Sequence, residues 1–147
     1  MGNTIVIDTN NDGNFTTRKL VDPGIYKLAI TPRPLRIELS KSSQKQMIPL
    51  ELKVLFNGDG TETSFRGQTI YDYLVIDKKS EWKLTHFALS SGAYTREDLK
   101  NNGGSIDMDH LSEMEEVTAK IGLDSSTPEG STVPKIKNVV EQYIFTD

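Results

Sequence analysis

Cysteine is absent from the chain, which removes disulfide cross-links, thiolate nucleophiles and cysteine-ligated zinc from consideration. The opening MGNTIVID lacks the basic and long apolar stretches of a signal peptide, and Val6 breaks the myristoylation pattern begun by Met1-Gly2. No apolar run approaches membrane-spanning length. A cytoplasmic protein without membrane contact is expected. Histidine is scarce too: His86 stands four residues after Trp82 inside a helical pattern and reads as packing, and His110 sits in the acidic turn DMDHL. Ser42-x-x-Lys45 has no partner motif, and no glycine-rich phosphate loop occurs. With no converging nucleophile and base, the sequence predicts a non-enzyme without cofactor or catalytic residue. Apolar residues make up only 35% of the 147, still enough for one domain to bury a core.

What the chain does contain begins with DTNNDGNF, Asp8 to Phe15, which matches the first half of an EF-hand calcium loop. The twelfth position, where a bidentate carboxylate closes the shell, is Lys19, with Arg18 beside it. No helical pattern brackets the loop. An Asx-rich turn within an N-terminal extension, residues 1–21, is therefore expected, with no metal site, and a single domain spans residues 22–147. Asn14-Phe15-Thr16 is a glycosylation sequon that means little in a cytoplasmic protein.

Charge is unevenly spread along the chain. The net charge of −4 argues against a general polyanion binder. Between Lys27 and Lys53, however, six bases face two acids, a local +4, whereas Glu97 to Glu129 holds nine acids against two bases, a local −7. Segregation of this kind can place a basic face on an acidic protein.

Period-two alternation predicts strands at IYKLAI (Ile25–Ile30), MIPLELKVLF (Met47–Phe56), QTIYDYLVID (Gln68–Asp77), EVTAKIGLD (Glu116–Asp124) and VPKIKNVVEQYIF (Val133–Phe145). Part of a strand near Leu35 to Leu39 interrupts the long loop after the first. In the third strand either face can be the buried one; burying the aliphatic side puts Asp72 among core residues and turns Tyr71 and Tyr73 outward. The period changes at Ser80, a suitable N-cap, and Leu84, Phe87, Ala88 and Ser91 form the stripe of a helix that Gly92 ends. A short helical turn is expected at Asp107 to Met114. The order strand-strand-strand-helix-strand-strand matches an OB-fold, so the expected class is all-β with one helix, a five-stranded OB-fold-like barrel.

Binding chemistry is better represented than catalysis. Single-stranded nucleic acid is held by a basic groove and by aromatic rings on which bases stack, each stack worth about 1–3 kcal/mol. In an OB-type reading the candidates are Arg33, Arg36, Lys41 and Lys45 from the first loop, Lys53 from the second strand, and Phe65 and Arg66 leading into Tyr71 and Tyr73. Trp82 of the helix and Lys135, Lys137 and Tyr143 of the last strand complete the set. Regular alternation puts those last three on one side. Binding to such a set is expected to fall steeply with salt.

The run DPGIYKLAI … KQMIPLELKVL … FRGQTIYDYLVIDKKSEWKLTHFALSSG resembles a phage-encoded family from replication and recombination cassettes, long described as a domain of unknown function. The resemblance rests on Pro23-Gly24-x-Tyr26, a strand ending at Phe56, Arg66-Gly67 leading into Tyr71-Asp72-x-Leu74, and the Trp82 helix. It covers about residues 22 to 145, and the stretch AYTREDLKNNGGSIDMDHL is an insertion relative to the family. The resemblance implies an OB-type single-stranded-DNA-binding protein of the host cytoplasm with little sequence preference. Phage replication or recombination proteins are implied as further partners, and a homo-oligomer is compatible with it. The competing expectation is a non-enzymatic phage accessory module that binds another protein through a strand edge or its acidic surface.

Overall fold

Alternating apolar residues give strands whose inward sides form one continuous core. In the computed structural model, which describes residues 20–42, 44–127, 129–130 and 135–146, the elements are β1 (Gly24–Thr31), β2 (Glu38–Leu39), β3 (Gln46–Asn57), β4 (Thr69–Val75), α1 (Glu81–Ser91), α2 (Arg96–Asn101), α3 (Met108–Leu111), β5 (Glu116–Ser126) and β6 (Lys135–Tyr143). The Asp8–Phe15 turn, the sequon and nearly all of the expected N-terminal extension lie outside the described residues. Val21, within that extension, is buried in the core, held at its N–H and carbonyl by the side chain of Asn138. Among the described residues no helix is long and apolar enough to cross a membrane.

All pairings are antiparallel, and the sheet runs β2-β3-β1-β5-β6 with β4 on β3. Along the path β4-β3-β1-β5-β6, four successive reversals leave β4 and β6 running in the same direction. No ladder joins them among the described residues, so the sheet curls without closing. This is mostly-β architecture with an open six-stranded sheet and three short helices, where the sequence predicted a five-stranded OB-fold-like barrel with one helix. The two-residue β2 is the strand fragment anticipated near Leu35 to Leu39. The helix α2 was not anticipated, because none of its residues is buried and no apolar stripe announces it. A capping box between Thr95 and Asp98 holds it instead.

Leu28, Ile30, Leu50, Leu52, Ile70 and Leu74 lie on the buried side of the sheet, and α1 adds Phe87 and Ala88 to the same core while packing against β4, β5 and β6. Phe87 meets Tyr143 edge-on, with centroids 5.2 Å apart. Ser80 occupies the N-cap position of α1 without a side-chain bond; Asp77 does the work, accepting from the Ser80 N–H at 2.9 Å. Gly92 takes the left-handed conformation that ends the helix, at φ +85°.

The ladder of β5 and β6 slips between Lys120/Gln142 and Ile121/Val140, leaving Glu141 as an extra residue on β6. A bulge of this kind reverses which side chains face inward beyond it. Past the bulge, Leu123 to Ser126 and Lys135 to Lys137 are exposed on both faces, and the two strands leave the body as a ribbon.

Candidate nucleic-acid interface

Because β4 is the last strand on its side, its outward residues border open space. Ile70 and Leu74 point into the core, and Tyr71 and Tyr73 point out, 44% and 52% exposed. The aliphatic side is therefore the buried one, and Asp72 interrupts it. Asp72 accepts from Lys83 Nζ of α1 at 2.9 Å and from the Tyr143 hydroxyl of β6 at 2.5 Å. Both carboxylate oxygens are thus engaged, as a largely buried charge requires. Burial, with the Asp72 carboxylate beside it, pushes the Tyr143 hydroxyl well above the ordinary tyrosine range.

An open groove of about 1400 Å³ lies between β4 and the first half of β6. Tyr71, Asp72 and Tyr73 line one side, Lys135, Ile136 and Lys137 the other, with Lys83 also at its surface. Lys83 is committed to Asp72, so Lys135 and Lys137 supply the groove's positive character. On the outward face of the sheet Tyr71 stands opposite Glu51, Tyr73 opposite Pro49, and Lys53 opposite Thr69. Lys53 is exposed and diagonal to Tyr71, within reach of anything lying on that ring.

The other candidates are dispersed. Arg33 lies 3.9 Å from Glu115, and Lys45 is 2.6 Å from Asp77, holding that carboxyl below its usual range. Arg36 and Lys41 are exposed in the loop between β1 and β3, outside the groove. Arg66 lies over the Phe56 ring at 4.9 Å in the turn before β4. Phe65 packs edge-on against Tyr26 and leans on the core. Trp82 is exposed on α1 and meets His86 edge-on, and His86 in turn meets Phe145. Tyr143 is fully buried, whereas alternation placed it beside Lys135 and Lys137; the Glu141 bulge is the reason.

Lys83 was missed by sequence reasoning. A carboxylate on a core face demands a cationic partner, and Lys83, next to the apolar stripe of the following helix, was the available one. His110 is engaged locally: Nε2 lies 2.7 Å from the Ala93 carbonyl and Nδ1 3.5 Å from Glu113, while Asp107 caps α3. No family model matches the chain, and no curated protein matches it.

Proposed function

We propose that the chain binds single-stranded DNA along the groove between β4 and β6, and that its role is to coat such DNA during phage replication or recombination, as the sequence resemblance implies. The observation that carries the reading is the pair of exposed tyrosines on one edge strand with two lysines facing them across the groove. Residues two apart on a strand are about 6.8 Å apart. That is twice the ~3.4 Å rise of a stacked nucleic-acid strand, so each ring takes one base of a strand drawn out enough to unstack. Duplex bases are already stacked and paired, which gives the preference for single strands. Lys135 and Lys137 serve the phosphates. The strand order β4-β3-β1-β5-β6, with a helix between β4 and β5, supports an OB-type barrel left open at this groove.

The test is fluorescence anisotropy with labelled single-stranded and duplex oligomers of mixed sequence at low salt. Tyr71→Ala with Tyr73→Ala is expected to weaken single-strand binding at least about 30-fold, from two stacks of about 1–3 kcal/mol each. Thermal stability should change little, since both rings project off the core. Unchanged affinity in the double variant, or equal affinity for duplex, overturns the reading.

A second reading has one observation in its favour. The outer edge of β6 carries no ladder among the described residues, and Ile136 and Leu20 are exposed beside it. A partner protein adding a strand there is the accessory-module alternative. Capture of a defined partner with indifference to DNA selects it.

A further inference from the structure

We infer that Glu51 makes the proposed single-strand site selective, favouring cytosine over thymine in the slot formed by Tyr71. The inference rests on the groove being a single-strand site, and it departs from the expectation of little sequence preference. Glu51 is exposed on the outward face of β3 and is the direct cross-strand partner of Tyr71. Side chains so paired have Cβ atoms about 4.5–5.5 Å apart. A base lying on the Tyr71 ring therefore presents one edge to the Glu51 carboxylate, which accepts hydrogen bonds and donates none.

Cytosine offers an N4 amino donor where thymine offers the O4 acceptor. The carboxylate accepts from the N4 amino group, which stands at the corner of the ring, and is repelled by O4; thymine's own donor, N3–H, lies between two carbonyl oxygens that repel a carboxylate approaching it. The two pyrimidines are nearly equal in size, so ring stacking does not separate them. Lys53, diagonal to Tyr71, donates to any acceptor and serves the strand's backbone. The neighbouring slot behaves differently: Tyr73 is paired with Pro49, whose side chain has no polar atom. One slot of the two reads the base, and the other takes any base by its face.

The test compares binding of labelled oligo-dC, oligo-dT and alternating oligo-d(CT) of equal length by anisotropy. Wild-type protein is expected to bind oligo-dC about three- to tenfold tighter than oligo-dT, the range of one partly solvated hydrogen bond to a charged acceptor. The alternating oligomer should match oligo-dC, because a shift by one nucleotide brings a cytosine into the reading slot. Glu51→Gln, whose amide can accept or donate, should bring the ratio to within about twofold. Tyr71→Ala should erase the preference, and Tyr73→Ala should weaken both oligomers while keeping it. Equal affinity of wild-type protein for oligo-dC and oligo-dT, or a preference that survives Glu51→Gln, overturns the inference while leaving the single-strand site standing. Failure of every oligomer to bind overturns both.

Discussion

Asp72 joins three elements through two oxygens, and its partners respond differently to loss. Tyr143→Phe keeps the buried ring against Phe87 and removes only the hydroxyl, leaving one carboxylate oxygen without its donor. A cost of about 1–3 kcal/mol is expected. Asp72→Ala also strands the Lys83 ammonium, and breaking such a pair costs more, about 3 kcal/mol. Urea unfolding of the two variants checks the order; a Tyr143→Phe protein as stable as wild type would show that this bond does not help hold β4 and β6 together. His110 supplies a pH dependence. Its hydrogen bond to the Ala93 carbonyl, reinforced by Glu113 and Asp107, raises its pKa on folding. The protonated form is the one favoured by folding, so the stabilisation is complete below the unfolded histidine value of about 6.5 and disappears as pH rises through the raised folded value. The Tm difference between wild type and His110→Gln should therefore be larger at acid pH than at mildly alkaline pH. A difference that is flat, or that grows with pH, refutes it.

Turns and bulges decide how the strands meet, and two glycines show how differently a methyl group is received. A Cβ on Gly58 would sit 2.6 Å from Ile25 Cγ2 and 3.1 Å from the Ile25 carbonyl oxygen, and the Gly58 N–H already bonds that carbonyl at 2.7 Å. Backbone at this junction of β1 and β3 cannot yield cheaply, and Gly58→Ala should cost about 1–3 kcal/mol. On Gly122 the methyl would meet chiefly the Glu141 carboxylate, the far end of a flexible side chain. That chain can swing away at the expense of its exposed ion pair with Lys120, so Gly122→Ala should cost less than about 1 kcal/mol. Thermal melts showing the reverse order would contradict this account. The same contrast explains what could be read from the chain. The five long strands and α1 were legible because half-buried elements repeat apolar residues at their own period, and turn residues such as Asn57-Gly58 and Gly92 mark their ends. The helix α2 buries nothing and so left no stripe. The Glu141 bulge has no signature in KNVVEQY, and one unannounced residue was enough to carry Tyr143 from the expected surface into the core. Tyr71 and Tyr73 lie on a strand with no bulge in its pairing to β3, where parity suffices once the buried face is known.

Along the chain the bases are concentrated, yet the fold scatters them. Arg33 is drawn to Glu115 in the acidic half and Lys45 to Asp77, while Lys53, Lys135 and Lys137 remain near the two exposed tyrosines. Salt dependence measures how many of these cations meet phosphates. Each phosphate neutralised on a single strand contributes about −0.7 to the slope of log K against log salt. Three lysines give a slope of about −2, or roughly 20-fold weaker binding between 50 and 200 mM salt. If all eight cations named from the sequence engaged the strand, the slope would be nearer −5.6, the steep fall anticipated from local charge. Titrating a labelled oligomer across that range separates the two values. Lys135→Ala with Lys137→Ala should bring the slope to about −0.7, leaving Lys53 alone. Arg36→Ala with Lys41→Ala should leave it near −2, because those side chains lie outside the groove. A steep slope that the loop variant flattens and the β6 variant does not would move the bound strand away from β4 and β6, onto the loop between β1 and β3.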